Sequence, residues 1–476
     1  MNCRPLDILR FSAVAAAWLL AGCQAYEPKP LDLPVHDRAW RSRTAGSEEV
    51  RIFAAQLAAR GESQDAAFDL EDGLSIREAQ IVAMVYNPDL RLARLRAGVA
   101  KATAEYAGLW NDPEISLDVL RIVRSVPDPW VVGSALSFTI PISGRLEAAK
   151  AVASAELHAA LDRVAEEEWE VRKELRDAWA RWSAQRLRLE QMQRLLESLE
   201  SMVGSTQRLA ELGELASPEA SLFTIEQALR RSELRRLTGE VAEGEQRLRA
   251  VMGLSPSAPV ALSPSIALPP PPPAPTSAPL PVPRQEGTLP AKELIDTSPT
   301  LARLRSEYAA AEARLLQEIR KQYPDLNIGP QYESDEGQSR LGFVGAIPLP
   351  ILNANKGGIA EARAERELAQ AVYETQYQQT VGRLAAQRTR FDAAQADRQA
   401  IEQTLVEMVD RQVSDARRLL ELGEGSGLVL LESLIRAHEV KLQLIDARLR
   451  EALAANEITF LVGPSAIALD AQKVNP

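Results

Sequence analysis

Histidine is nearly missing from this 476-residue chain: His36, His158 and His438 are the only three. They lie far apart, and "HEVKL" at His438 lacks the second histidine of a zinc-protease helix, so no metal site is expected. Cysteine is as scarce, with Cys3 and Cys23 alone. No phosphate-cradling glycine loop, nucleophile elbow or His/Cys cluster occurs. The expectation is a protein that is not an enzyme and carries no cofactor. A basic surplus is also lacking: the formal net charge is −11, with a pI near 5.2, which speaks against nucleic acid as a partner. Aromatics make up only 5% of the chain, and Ala, Leu, Arg, Glu and Gln dominate, which is the palette of long helices. Finally, no stretch has the roughly 18 consecutive apolar residues of a transmembrane helix. If the chain crosses a membrane, it must do so as a β-barrel, the other structure that satisfies every backbone group in lipid.

What is present begins at the N-terminus. Arg4 and Arg10 precede an apolar run from Phe11 to Ala21, and "LAGC" follows, ending at Cys23. A charged start, a short apolar segment and small residues describe a secretory signal over 1–22. "LAGC" resembles the lipobox of bacterial lipoproteins. That resemblance implies cleavage before Cys23 and acylation of its thiol; Gln24 after it favours the outer membrane. With Cys3 removed, no internal disulfide can form.

The rest of the chain is duplicated. "RLAELGE" at Arg208 returns as "RLLELGE" at Arg418, with six of seven positions identical and an offset of 210. "NPDLRLARLRAGVAKA" at Asn87 pairs with "SPTLARLRSEYAAAEA" at Ser298, offset 211. "FTIPI" ending at Ile142 pairs with "IPLPI" ending at Ile351, offset 209, and Gly253 pairs with Gly463, offset 210. Four landmarks in one order define two repeats, 75–256 and 291–464. Residues 23–74 form an N-terminal extension and 465–476 a tail. Between the repeats, 257–290 is rich in proline (from Ser255 to Pro290 there are 13 of the chain's 30) and reads as an extended linker.

Each repeat reads helix, two strands, very long helix, turn, shorter helix. From Leu157, alternating steps of four and three visit Leu161, Val164, Val171, Leu175, Ala178, Trp182, Leu189, Met192, Leu196, Leu199 and Val203, broken only by Glu168 and Gln185. This 3.5-residue period predicts a coiled-coil-like seam on a helix over Glu147–Leu212. An equally long helix with a more ragged stripe is expected over Ala360–Leu422. At 1.5 Å per residue each would span on the order of 100 Å, the reach of a spacer or tube wall. The strands are expected at about 113–123 and 130–142, separated by "RSVPDP", and at about 325–333 and 339–351, joined by "SDEGQ". Ile115, Leu117 and Val119 alternate with Glu114, Ser116 and Asp118, as in a barrel with a wet interior. Such lengths suit a tilted crossing of a bilayer, and Trp130, Tyr332 and Phe343 suit an aromatic girdle. Four strands cannot close a barrel, because the smallest membrane barrels use eight, so several chains must pool their strands.

At this point the chain resembles the TolC-like outer-membrane efflux family, over about 75–464. The likeness rests on the duplication, on "FTIPISG" and "IPLPILNANKGG" leaving the second strand of each hairpin, and on the "ELGE" turns. "PLPILNANKG" is most similar to the CzcC-like branch associated with heavy-metal efflux. The resemblance implies a mainly α fold with a small β-barrel contribution. Two long helical hairpins per chain would wall an α-barrel tunnel, and four transmembrane β-strands per chain would complete a twelve-stranded barrel in a homotrimer. It further implies the exit duct of a tripartite pump in the outer membrane of a Gram-negative bacterium. The partners would be a periplasmic adaptor and an inner-membrane pump, usually of the resistance-nodulation-division type. A type I secretion duct belongs to the same family. A periplasmic adaptor lipoprotein would instead show one hairpin flanked by Gly/Val-rich β domains. A coiled-coil lipoprotein would lack strands ending in Pro141 and Pro350.

The candidate functional residues follow from this frame. Pro141, Gly144, Pro348 and Pro350 mark the strand-to-helix exits. Gly213 and Gly423 suit the left-handed residue that ends a helix, with Ser217 and Ser426 as N-caps of the next helix and Pro218 beside the first. The tips Glu211, Leu212, Gly213, Glu214 and Glu421, Leu422, Gly423, Glu424 are candidates for docking the adaptor. The family's acidic entrance residues match Glu219, six after Gly213, and Glu432, nine after Gly423. Capping and the helix dipole account for an acid at Glu219 equally well. The chain departs from the family pattern at Val429 and at Gly425.

Overall fold

The computed structural model describes residues 26–59, 68–121, 123, 130–266, 291–335 and 338–463. The leader 1–22, Cys23, the tail 465–476, the turn "RSVPDP" and the proline-rich linker from 267 onward lie outside the described residues. Two units are distinguished, divided after Arg43. The first contains helix α1 (Leu33–Arg41), capped by Asp32, whose carboxylate accepts from the Val35 N–H at 3.0 Å.

The second unit carries both repeats. Repeat one comprises α2 (Glu48–Ala59) as a preface, then α3 (Ile76–Tyr86), α4 (Pro88–Glu105), β1 (Glu114–Arg121), β2 (Trp130–Ile140), α5 (Arg145–Glu211) and α6 (Ser217–Val251). Repeat two comprises α7 (Ala291–Thr297), α8 (Pro299–Arg320), β3 (Leu326–Asp335), β4 (Gln338–Ala346), α9 (Lys356–Ala400), a π turn (Ile401–Leu405), α10 (Val406–Glu421) and α11 (Gly427–Val462). Local chemistry starts the helices where expected. Ser75 and Glu78 form a capping box on α3, and Asn87 accepts from the Asp89 and Leu90 N–H groups with Pro88 following it.

Each repeat is closed by a glycine. Gly253 and Gly463 follow the last helix of their repeats with φ of +71° and +84°, and a Cβ there would lie 2.0 Å from the Tyr86 and Thr297 carbonyl oxygens. A side chain locks each junction: Asn87 Nδ2 donates to the Val251 carbonyl at 2.8 Å, and Thr297 Oγ1 donates to the Val462 carbonyl at 2.5 Å. The two repeats thus use different side chains to tie the end of the last helix to the start of the first.

The strands form one antiparallel sheet in the order β1-β2-β3-β4. Repeat one meets repeat two at β2–β3, with Phe138 opposite Ile328 and Ser134 opposite Tyr332. Gly329 is required there, because a Cβ would lie 1.7 Å from the Leu136 carbonyl oxygen. β4 ends at Ala346, not near Ile351, since Pro348 and Pro350 have no N–H to give a ladder. Its hairpin is tighter than "SDEGQ" suggested, with Asp335 and Gln338 paired. Trp130, Tyr332 and Phe343 share the face that carries Ile115, Leu117 and Val119. They do not share a level: Trp130 lies four residues, about 13 Å, along β2 from the partner of Tyr332.

Helix α5 is the spine. Its expected seam is buried from Val171 through Val203, whereas Leu157 is half-buried and Leu161 exposed. Glu168, one of the two breaks in the stripe, is held by Arg94 at 2.8 Å. Trp179, which the stripe omitted, is fully buried against Trp182 in a T-shaped pair with centroids 5.6 Å apart. The counterpart in repeat two is not one uninterrupted helix: it begins at Lys356 and widens into the π turn. There Ile401 stays buried with Val409, Val440 and Ala447. Arg398 binds Glu402 at 2.7 Å and the buried Glu451 at 2.5 Å, while Arg448 binds Glu402 at 2.5 Å. These pairs tie the entry of the turn to α11, a setting in which the wider hydrogen-bond spacing is retained.

In three layers the neighbours run from repeat one to repeat two. They are β1-β2-β3-β4 in the sheet, α4-α5-α8-α9 beside it, and α6-α5-α11-α9/α10 toward the tips.

Replacing Gly253 by Ala should cost at least roughly 1–3 kcal/mol from the left-handed backbone alone, and lower the thermal midpoint. Gly239, on α6, has open space where a Cβ would stand, with nothing within 4 Å, and should gain about 0.5–1 kcal/mol on the same change. Equal shifts for the two variants would contradict the closure role.

Candidate functional site

The two tips are built alike at the backbone. In the first, the Gly213 N–H donates to the Ala210 carbonyl at 3.1 Å and the Glu214 N–H to Leu209 at 2.9 Å. In the second, Gly423 donates to Leu420 at 3.1 Å and Glu424 to Leu419 at 3.0 Å. This is the Schellman pattern, with φ of +74° and +77° at the glycines. Glu211, Leu212, Gly213 and Glu214 are all exposed, as are Glu421, Leu422, Gly423 and Glu424. Leu212 and Leu422 are 72% and 64% exposed, so each tip presents one bare leucine.

The following helices start differently. Ser426 caps α11, accepting from the Leu428 N–H at 3.2 Å. On α6 the cap is Ala216, with no side-chain bond, and Ser217 lies inside the helix with Pro218 second. The expected serine cap is therefore displaced by one residue, because Ala216 takes the extended conformation (φ −67°, ψ 133°). Gly425 is needed by a close approach: a Cβ would lie 2.7 Å from the Leu420 nitrogen.

Glu219 is half-buried in the first turn of α6. Glu432 is exposed on α11 and paired with Arg436 at 3.2 Å. Between their helices stands Phe223, 1% exposed, packed in one cluster with Leu431 and within 3.4 Å of a Cβ position at Gly427. Sequence reading missed Phe223; its signal was an aromatic four residues after Glu219 in a chain poor in aromatics.

The strand-to-helix exits also repeat. The Ile142 N–H donates to Ile140 at 3.0 Å around Pro141, and the Ile351 N–H to Leu349 at 2.9 Å around Pro350. Proline's fixed φ suits the centre of such a three-residue turn. Pro348 sits in the irregular segment before it. Gly144 then starts α5 with φ +71°. Repeat two uses Asn355 with φ +51°, secured by its Nδ2 donating to the Glu318 carbonyl at 2.9 Å and to Glu318 Oε2 at 2.8 Å. Asn355 was not anticipated; asparagine is the non-glycine residue that best tolerates this region.

Among the described residues no group of three His, Cys, Asp or Glu side chains could hold a metal ion, and no helix is long and apolar enough to cross a membrane. His438 is buried on α11 where it packs near Gln191 of α5 and Arg230 of α6. Burial first, and then Arg230, hold its pKa below the usual histidine value, against Glu233 and Glu439.

A family model described as outer membrane efflux protein matches residues 82–254 and 291–464. The cobalt-zinc-cadmium resistance protein CzcC of Cupriavidus metallidurans is 25% identical over 259 residues, 54% of this chain. The match spans 59% of that relative's length. Among solved structures, CusC superposes with a TM-score of 0.67 at 15% identity, covering 89% of this chain and 98% of CusC. VceC of Vibrio cholerae gives 0.65 at 17% identity, covering 82% and 96%. At these identities the structures establish the fold.

A histidine buried neutral weakens the fold once the unfolded chain binds the proton that the folded chain refuses. Stability should therefore fall as pH drops below about 6.5, the ordinary histidine value, down to the lower folded value. His438→Leu should flatten this part of the thermal-midpoint profile; an unchanged slope would show that His438 does not cause it.

Proposed function

The chain belongs to the outer membrane efflux protein family, and from that premise we propose that it is the exit duct of a multi-part efflux pump. It conducts substrates passively from a periplasmic adaptor and an inner-membrane pump to the exterior. One observation carries the reading: in every layer one free flank belongs to repeat one and the other to repeat two. Such a unit associates head to tail, and head-to-tail contacts generate rings when the rotation closes. Three copies would supply twelve strands.

The free flanks have the surface for this. On α6, Leu222, Ile225 and Leu229 are exposed at helical spacing; on the other flank Leu405 in the π turn, Met408 and Leu419 are exposed in one heptad register, interrupted by Gln412 and Asp415. Patches of this kind on two different faces are complementary candidates for an inter-chain seam. Across the sheet the polar face, with Asp118, Gly133 and Glu333 in register, would line water, and the apolar face would meet lipid.

Acylated Cys23 would anchor the chain to the outer membrane. The exposed tip leucines would dock the helical hairpins of the adaptor, and Glu219 with Glu432 would line the periplasmic entrance, where carboxylates in a constriction attract cations. Heavy-metal cations are the proposed cargo, supported by the likeness to CzcC. A conduit for them need hold none tightly, since its cargo must leave.

Detergent-extracted protein should have the mass of three chains, and planar bilayers should show conductance. Leu222→Glu with Ile225→Glu should reduce the trimer to monomers and abolish channels. In the intact trimer, Glu219→Gln with Glu432→Gln should alter conductance or cation selectivity. A stable wild-type monomer would overturn the duct, and unchanged conductance in the double variant would remove the gate.

A further inference from the structure

Away from tips and sheet, three helices enclose a cleft of about 200 Å³. Gln80 of α3 forms one wall, Trp169, Arg172 and Arg176 of α5 another, and Thr459 and Phe460 of α11 the third. Positive charge collects here and is answered only in part, the neighbouring Asp177 acting on Arg176. Lys173 is served by Asp177 at 3.0 Å and Glu457 at 2.9 Å, and Asp177 also accepts from Asn456 at 3.0 Å. Those carboxylates are thereby committed. Arg172 only stacks on Trp169, with 5.8 Å from its guanidinium carbon to the ring centroid, while Trp169 is fixed by donating to the Phe460 carbonyl at 3.0 Å. Arg176 makes no hydrogen bond or ion pair among the described residues, although burial first, then Arg172 and Arg77, lower its pKa. A partly buried guanidinium facing other cations is an unfavourable arrangement unless something anionic joins it.

We propose that this cleft binds a small soluble oxyanion, a phosphate or phosphate monoester, held by Arg172 and Arg176 with Gln80 donating from the facing helix. Planar guanidinium forks match phosphate oxygens two at a time, and the Trp169 ring fixes the plane of one fork. The volume admits such a group together with ordered water. A phosphate on a membrane lipid has the same chemistry, but Arg172 lies 27 residues along α5 from its start at Arg145, on the order of 40 Å from the sheet. The ligand is therefore assigned to the aqueous side.

Calorimetric titration of full-length protein in detergent with inorganic phosphate tests the site. The expected result is saturable binding of one phosphate per chain, weakened at least ten-fold in Arg176→Gln, weakened less in Arg176→Lys, which keeps the charge but loses the fork, and unchanged in Arg417→Gln at a remote exposed position. A parallel arm offers phosphatidylglycerol vesicles in place of phosphate. Absence of saturable phosphate binding, or equal affinity in Arg176→Gln, would overturn the proposal. So would Arg176-dependent capture of the vesicles without phosphate binding, which would move the ligand to lipid.

Discussion

An unpaired row of backbone N–H and C=O groups runs along the outer edge of β1 and another along β4. In water such edges are a liability; in hydrocarbon each unsatisfied group costs several kcal/mol. The strand order leaves those rows on the two outer edges, where another copy of the same chain could pair them. The helices beside the sheet end, like the strands, with repeat one on one flank and repeat two on the other. A chain organised this way presents two different faces to its neighbours, so a head-to-tail contact that closes by rotation is available.

Much of this was legible in the residues. The duplication fixed the order of elements, because four landmarks kept their spacing. The heptad stripe located the buried seam of α5 from Val171 to Val203. Glycines at the tips announced left-handed conformations, since glycine adopts them at no steric cost. What escaped were features decided by tertiary contact. Period alone could not show that Ile401 and the Arg398–Glu451 pair would hold a π turn within an apparently continuous helix. Nor could it show that Phe223 would bridge the tips, or that β4 would stop at Ala346. The last was in principle readable: alternation suggested a strand through Ile351, but two prolines removed the donors that a ladder needs.

The candidate site divides similarly. Backbone geometry at the tips followed from sequence because a Schellman turn needs only helix, glycine and a short continuation. Side-chain roles did not follow, since an acid after a turn serves equally as helix-dipole partner and as entrance lining. Structure separates the two acids. Glu432 is tied to Arg436 on its own helix, whereas Glu219 sits half-buried in a first turn beside the bridge formed by Phe223.

That difference bears on symmetry. Two repeats with one backbone invite the idea of a ring with six equivalent hairpins, yet the chain spends different residues at several equivalent places. Gly144 is answered by Asn355, the lock made by Asn87 by one made from Thr297, one position before the counterpart of Asn87, an uncapped Ala216 by the capping Ser426, and an unbroken α5 by a helix with a π turn. Each substitution preserves the backbone path while altering its stiffness. Glycine at an exit leaves φ free in the unfolded chain, whereas Asn355 is pinned by two bonds to Glu318. In the folded chain both exits are pinned, the first by Ser143 and Arg145 on Asp325 and the second by Asn355 on Glu318, and only the hairpin of repeat two carries a widened helical turn between exit and tip. Any ring built from such chains must alternate two mechanically distinct hairpins. Its symmetry then equals the number of chains rather than the number of repeats, and motion at the tips should be shared unequally between the two kinds.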